Sequence, residues 1–327
     1  MKFKLLIIFF IILIIAFVIY SITWITTAKK FKEAISNSPN LSFFFKENIE
    51  KKLSIKGYPF KFKIAIPASK FNLNSKTKLV FKEIYISSNI YNFKKLSMKS
   101  KNFSIYTYIN NFPIELRSSD FKSYIFFNKQ NKIYKIDQEL DNSSLLFKID
   151  GKDTNIKIIR INNLSYIQDN NLNININLSN IRLPSFLEET KNNFIHLDIS
   201  ISEISSLKFS NFHKNIQLKN KKILLNRFLL NNNIVNIESN GFLNSDDAMN
   251  LNGKLNLISD KPIEIINFLY GKNLINIIQF GALKLILNTL QDTATKKINL
   301  PINFKYNNLY LGPVFITSLD SIKNILF

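Results

Sequence analysis

The stretch from Leu172 to Leu178 reads LNININL, with an aliphatic side chain at every second position and asparagine between them. An extended strand turns successive side chains to opposite faces, so this pattern predicts a strand with one apolar and one polar face. Strands in parallel sheets are covered on both faces and read as continuous apolar runs, whereas half-polar strands are typical of antiparallel sheets. The stretch therefore predicts an antiparallel strand whose core residues are Leu172, Ile174, Ile176 and Leu178.

The same alternation recurs on both sides of this stretch. Two further runs have core faces that can be named: Phe60, Phe62, Ile64 and Ile66, and then Ile195, Leu197, Ile199 and Ile201. Shorter segments predict strands at Leu79–Ile86, Phe103–Ile109, Tyr124–Phe127, Ile133–Ile136, Leu145–Ile149, Ile156–Ile161, Ile216–Leu218, Ile234–Ile237 and Leu251–Leu257. The chain is therefore predicted to be mainly β, with a large antiparallel sheet and a few packed helices.

Asparagine-rich segments supply the predicted turns, at Asp169–Asn171, Asn231–Asn233 and Asn244–Asp247. Asparagine tolerates left-handed backbone conformations, so seven glycines suffice for the whole chain.

Helices are predicted at Pro184–Lys191 and from Pro262 to about Thr293, where Pro262 opens a helix and Gly271 ends it. A following segment carries Leu274, Ile277, Ile278 and Leu285 at helical spacing. This apolar face is expected to pack on the sheet, and contact with lipid or with a partner protein is the alternative.

The N-terminal segment from Leu5 to Trp24 contains no charged residue. At 1.5 Å per residue its helix would be about 30 Å long, the thickness of a hydrocarbon core. The predicted organisation is a transmembrane anchor at residues 1–27, a helical stalk at 28–52 and a β-rich domain at 53–327, with a division near residue 190 left open. A cleaved signal peptide is the alternative to the anchor, but its apolar core is usually about 7 to 15 residues long.

Composition limits the partners and the compartment. Lysines flank the anchor on both sides, so the positive-inside rule leaves its orientation open. The net charge is +21, but only four basic residues are arginine and the lysines are scattered, which argues against nucleic-acid binding and still favours attraction to anionic lipids. The chain has no cysteine, so it forms no disulfide, and this fits a reducing or an oxidising compartment.

The sequence offers no convincing catalytic or metal-binding group. His196 is expected on the polar side of a strand and His213 in a loop, and neither has neighbours at metal-ligand spacing. The pairs Asp246–Asp247 and Glu188–Glu189 are interpreted as solvated charge. The common phosphate-binding, zinc and serine-hydrolase motifs are absent, so we expect no catalytic residue, no cofactor, no metal and no enzymatic activity.

Short motifs near both ends carry a resemblance. The stretch Ile55–Phe62, IKGYPFKF, resembles the Gly-(Phe/Tyr)-Pro-Phe element of the DUF2125 family, uncharacterised membrane-anchored proteins of alphaproteobacteria. Leu300–Phe304 followed by Leu309–Val314 is similar to that family's closing strand and Leu-Gly-Pro turn, although Asn307 and Asn308 stand where the family commonly has Gly or Asp. Gly241–Leu243 and Leu251–Leu257 resemble a unit shared more loosely with AsmA-like envelope proteins.

The resemblance implies an inner-membrane anchor with the domain in the periplasm, and it supplies no catalytic residue. The favoured hypothesis is a non-enzymatic envelope protein whose sheet holds an apolar groove for lipid or another hydrophobic ligand. A scaffold protein that binds an envelope partner without a ligand is the alternative, and a hydrolase of envelope material is a third.

Overall fold

A computed structural model describes residues 15–30, 33, 54–67, 69–72, 77–89, 91–109, 112–130, 132–149, 152–182, 193–204, 220–231, 236–247, 250–271, 275–291 and 297–318. These residues form sixteen strands and three helices, so the chain is mainly β, as predicted. The first helix, α1, covers residues 15–30. The other elements are β1 (Ser54–Lys56), β2 (Lys61–Ile66), β3 (Ser69–Asn72), β4 (Lys78–Asn89), β5 (Asn92–Ile109), β6 (Phe112–Phe127), β7 (Ile133–Ile149), β8 (Lys152–Gln168), β9 (Asn171–Arg182), β10 (Asn193–Ile201), β11 (Lys222–Asn231), β12 (Asn236–Ser245), β13 (Leu251–Ser259), α2 (Pro262–Gly271), α3 (Ile277–Leu290), β14 (Ile298–Lys305), β15 (Asn308–Leu311) and β16 (Val314–Ser318).

All sixteen strands belong to one antiparallel sheet whose order follows the chain. From β4 onward each strand pairs with the next one in sequence, and β2 and β3 both pair with β4. Consecutive antiparallel strands need only short turns. One of these is the predicted turn at Asp169 and Asn170, where φ is 49° and 59°.

The sheet has one apolar face and one polar face. The predicted core faces of β9 and β10 lie on the same side, with Ile174 paired to Ile199 and Ile176 paired to Leu197. One residue in the predicted core of β2 is misplaced. Phe60 is 60% exposed, because it belongs to the turn that follows Gly57 and precedes Lys61, the first residue of β2.

A line of unpaired residues crosses the sheet from β4 to β9. At this line, which we call the crease, the ladder skips one residue in each strand: Lys82, Asn102, Ser119, Asn142, Ile159 and Asn180. The three asparagines have φ of 52°, 47° and 53°, in the left-handed region. Asparagine adopts this conformation more readily than most side chains do, which explains its place in every second strand.

The inserted residue reverses the alternation of each strand. In β6, Phe121 and Ser118 lie on the same face although they are three residues apart, because Ser119 is skipped. The apolar side chains therefore stay on one face along the whole length of the strand. Without the insertion they would move to the polar face beyond the crease.

The apolar face is concave at the crease. The ring centroids of Phe81 in β4 and Phe121 in β6 are 6.2 Å apart, and both rings contact Phe103 of the intervening strand. Strands two apart in a flat sheet are separated by about 9.6 Å, so the rings converge. Buried hydroxyls bond backbone carbonyls here, since Ser100 donates to Glu83 O (2.6 Å) and Ser118 to Asp141 O (2.8 Å).

Helices cover the apolar face at its two ends. At the start, Trp24 of α1 stacks on Phe62 with centroids 5.3 Å apart, and Tyr20 Oη donates to Pro59 O at 2.6 Å. At the end, Leu283 and Leu287 of α3 are buried against a cluster that includes Ile298 and Leu300 of β14.

The helical segment after Pro262 confirms the prediction of two helices but not of their buried face. Helix α2 ends at Gly271, and α3 begins with a capping box between Asn276 and Gln279. The side chains of Ile277, Ile278 and Leu285 are 62%, 79% and 70% exposed, because other residues of this almost wholly apolar helix face the sheet.

The structure describes only part of the predicted anchor and stalk. The predicted anchor is described from Ile15 onward, as helix α1. Within the described ranges, no helix combines the length and the apolar character needed to cross a bilayer. The segments Pro184–Lys191, Ile216–Leu218 and Leu274, and most of the predicted stalk, lie outside the described residues.

The left-handed asparagines generate a stability prediction. Replacing Asn142 by valine should lower the free energy of unfolding by about 1–2 kcal/mol, because a branched Cβ strains a left-handed residue. Glycine at the same position should cost less than about 1 kcal/mol. Urea unfolding of the full chain in detergent, followed by far-ultraviolet circular dichroism, measures both values.

Asn155, an exposed residue of the adjacent strand with ordinary φ, gives the matched control. Asn155→Val should be neutral or slightly stabilising, since valine favours strands. Equal losses for Asn142→Val and Asn142→Gly would show that backbone conformation does not determine the crease.

Candidate functional site

The apolar face continues across the sheet from β2 to β14. One row of directly paired residues shows it: Ile66, Ile84, Ser100, Phe121, Leu140, Ile161, Leu178, Ile195, Leu230, Ile237, Ser259 and Ile298. None of these side chains is charged. Neighbouring rows on the same face are built similarly, so the sheet presents an apolar strip perpendicular to its strands.

Burial of this strip changes along the sheet. Near α1 the side chains are closed off, with Ile64, Ile84 and Ile86 at 0% exposure and Ile125 at 2%. In the middle of β9 to β13 most of the equivalent side chains are only half-buried, although Leu172, Ile201 and Ser239 on the same face are buried. We call the following set the half-buried section: Ile174, Ile176, Leu178, Ile195, Leu197, Ile199, Leu225, Phe228, Leu230, Leu255 and Leu257.

The half-buried section lies between the two regions that helices cover. Trp24 and Ala28 of α1 belong to the cluster at one end, and α3 covers the other end. Two glycines help to pack the strands of this section together. A Cβ at Gly241 would lie 2.2 Å from Lys254 O, and one at Gly253 would lie 2.2 Å from Phe242 O. Any side chain at these positions would push β12 and β13 apart.

The polar side chains of the apolar face bond one another. Asn163 Nδ2 donates to Gln138 Oε1 at 2.8 Å, and Ser165 Oγ donates to Asn163 Oδ1 at 3.3 Å. Because these amide donors and acceptors are already partly satisfied, an apolar ligand can lie beside them without leaving them all unpaired. The strip therefore offers apolar contact and shape, without a charged group for specific recognition.

The opposite face carries the charges. Lys122 Nζ lies 3.2 Å from Glu139 Oε2 and 3.3 Å from Asp141 Oδ2, and Arg160 also contacts both carboxylates. Hydrogen bonds to Glu139 and then to Asp141 raise the pKa of Lys122. These ion pairs neutralise the polar face in β6 to β8.

The histidine and the acidic residues that the sequence offered as chemical candidates, where described, are hydrogen-bonded to neighbouring asparagines. His196 lies on the polar face, as predicted, with Nδ1 2.7 Å from Asn177 Oδ1. Asp246 accepts hydrogen bonds from the backbone and side-chain nitrogens of Asn250, and Asp247 accepts one from Asn220. His213, Glu188 and Glu189 lie outside the described residues. In the described ranges, no three His, Cys, Asp or Glu side chains are grouped as a metal site.

Comparison of the chain with models of protein families, with curated proteins and with solved structures returns no match.

The difference in burial along the apolar face predicts a difference in reactivity. Because the chain contains no cysteine, single cysteines can be introduced without background labelling. Once any bound hydrophobic ligand has been exchanged for detergent, Leu197→Cys and Ile176→Cys should react with a small uncharged maleimide in the folded protein, whereas Ile84→Cys and Ile125→Cys should react only in denaturant. Intact-mass spectrometry in detergent measures the labelled fraction.

Leu224→Cys, on the polar face, is the positive control, since Leu224 is 37% exposed. Equal protection at positions 197 and 84 would show that the half-buried section is closed, and would contradict the assignment of this section as the candidate site.

Proposed function

We propose that the chain is a membrane-anchored, non-enzymatic envelope protein that binds lipid acyl chains, or a similar hydrophobic ligand, on the half-buried section of its sheet. The observation that carries the proposal is an uncharged strip that crosses twelve paired strand positions and is closed by helices at its ends but only half-buried between them.

An acyl chain suits this surface better than a compact polar ligand. Strands β9 to β13 extend about 19 Å perpendicular to the strand direction, so a linear apolar ligand can contact all five. Each methylene group removed from water contributes about 0.8 kcal/mol, whereas a charged ligand would find no partner on this face. The aliphatic lining requires no particular headgroup, so the bound chain can vary.

The membrane assignment is supported by α1. Its side chains Phe17, Ile19 and Ile22 are 56–60% exposed, although they are strongly apolar, and such a surface is stable in a lipid environment. We propose a single-pass inner-membrane anchor with the sheet in the periplasm. The resemblance to the DUF2125 family supports this orientation, and the looser AsmA-like resemblance supports a lipid ligand.

A scaffold without a ligand is the second candidate. It is favoured by the exposed apolar side chains of α3, of which Ile278 and Leu285 are 79% and 70% exposed. A partner protein that covers this helix would leave the sheet with a purely structural role.

The lipid hypothesis predicts the effect of paired substitutions. Leu197→Asn with Phe228→Asn should lower the lipid that co-purifies with the full chain by about tenfold or more, because two apolar contacts are replaced by unpaired amides. Mass spectrometry of the detergent-extracted protein measures lipid per chain.

Phe242→Asn with Leu224→Asn makes the same kind of change on the opposite face of the sheet, in β11 and the adjoining β12, and should leave lipid content unchanged. Circular dichroism identifies misfolded variants. Lipid content that is insensitive to the Leu197 and Phe228 pair would contradict the lipid hypothesis and favour the scaffold.

The orientation is tested separately. Alkaline phosphatase fused after Phe327 should be active in cells, since this enzyme matures only in the periplasm, where its disulfides form. Green fluorescent protein fused at the same position should not fluoresce, because it does not fold after export through the general secretion route. An inactive phosphatase with a bright fluorescent fusion would place the sheet in the cytosol.

A further inference from the structure

The polar face carries a cavity of about 700 Å³ over strands β2, β4, β5 and β6. Its floor includes a row of paired residues, Lys63, Ser87, Ser97 and Tyr124, and the next row adds Tyr85 and Lys99. These side chains point away from the apolar strip, because they alternate with its core residues along each strand. The cavity is therefore separate from the proposed acyl-chain surface.

The charge of the cavity is uniformly positive. Four lysines line it, Lys61, Lys63, Lys95 and Lys99, and the lining contains no carboxylate. Among the described residues, no ion pair neutralises these four ammonium groups. This differs from the adjoining strands, where Lys122 contacts both Glu139 and Asp141.

Two of the lysines are positioned by aromatic rings. Lys63 Nζ lies 3.8 Å from the centroid of Tyr85, and Lys95 Nζ lies 4.5 Å from that of Tyr124. A ring face attracts an ammonium group without cancelling its charge, so both groups stay available to an anion. Glu83 is the nearest acidic residue along β4. Its carboxylate hydrogen-bonds to the Tyr85 hydroxyl and raises the pKa of Tyr85, so this carboxylate already has a partner.

The cavity adjoins the end of the sheet that contacts α1. Gly57 and Phe60 lie at its rim, and the two residues between them contact the helix: Tyr58 Oη is 2.7 Å from Ser21 Oγ, and Pro59 O accepts from Tyr20. The same end exposes Phe60, Tyr91 and Phe93, at 60%, 75% and 45%. Exposed aromatic side chains beside an apolar helix are typical of the headgroup region of a membrane.

We propose that this lysine cavity binds the phosphate group of an anionic phospholipid headgroup, at the surface of the membrane that α1 enters. The proposal rests on the membrane assignment made above, but not on acyl-chain binding by the half-buried section. Ammonium groups suit a phosphate as point charges, and serine hydroxyls such as those of Ser87 and Ser97 donate hydrogen bonds to its oxygens. Exposed Phe60 lies at the rim, where the apolar part of the lipid would enter.

Native mass spectrometry of the full chain in a non-ionic detergent tests the site, with phosphatidylglycerol and phosphatidylcholine as probes. The unmodified chain should prefer phosphatidylglycerol, and Lys63→Gln with Lys99→Gln should weaken its binding by about tenfold or more, because each nearby lysine contributes roughly a fivefold effect. Binding of phosphatidylcholine should not change. Lys63→Arg with Lys99→Arg should retain the preference, since it keeps both charges.

Lys254→Gln with Lys305→Gln is the matched control, because it removes two exposed lysines from β13 and β14 and should leave the preference intact. Retention of the preference in the Lys63 and Lys99 glutamine variant, or its loss in the control, would overturn the proposal. Inorganic phosphate that binds as tightly as phosphatidylglycerol, and is lost in the same variant, would overturn the membrane lipid as the source of the anion.

The two proposals fail independently. Leu197→Asn with Phe228→Asn changes the apolar face and should leave the preference for phosphatidylglycerol unaltered. Lys63→Gln with Lys99→Gln should lose bound phosphatidylglycerol and keep the lipid that depends on Leu197 and Phe228.

Discussion

The two-residue period of the extended strand is the constraint on which the rest of this structure depends. Every second side chain must be apolar for the sheet to have one dry face, and that face must stay in phase from strand to strand over the whole meander. Long strands add a difficulty, because a sheet that bends sharply breaks its own ladder. The crease solves both problems, since one inserted residue per strand permits the bend and restores the phase beyond it.

The helices have a complementary role. A single-layer sheet leaves its apolar face open, and here α1 covers one end through Trp24 and Phe62 while α3 covers the other through Leu283 and Leu287. In the strands between these ends most of the inward aliphatic side chains are half-buried. The charges of the polar face are also distributed unevenly: ion pairs join β6, β7 and β8, whereas the four lysines of the cavity form no ion pair within the part of the chain that the structure describes.

Local sequence pattern predicted the fold class and the inward residues of β9 and β10, because those strands alternate without interruption. It divided β7 into Ile133–Ile136 and Leu145–Ile149, since the alternation changes phase at Asn142 and the middle of the strand looks polar. Phe60 fitted the alternation of β2 but lies before the strand, where turn geometry overrides the pattern. In α3 the pattern identified a helix, yet apolar residues on nearly all sides left its buried face undetermined.

The two candidate surfaces could not be predicted residue by residue. The apolar strip depends on registers across many strands, and a shift of one residue in any of them would interrupt it. The lysine cavity combines Lys61 and Lys63 with Lys95 and Lys99, which are more than thirty positions apart and meet only through β4. Scattered lysines in the sequence indicated attraction to anionic lipid in general, but only the strand pairing gathers four of them around one cavity.

The central claim is that an uncharged strip along one face of the sheet holds a hydrophobic ligand. Electron cryomicroscopy of the full chain in a lipid nanodisc, with an antibody fragment to add mass, tests it most directly. The account predicts elongated density in van der Waals contact with Ile176, Leu197 and Phe228, running across the strands. A map in which the protein's own side chains fill that face, leaving no space for a ligand, would contradict it.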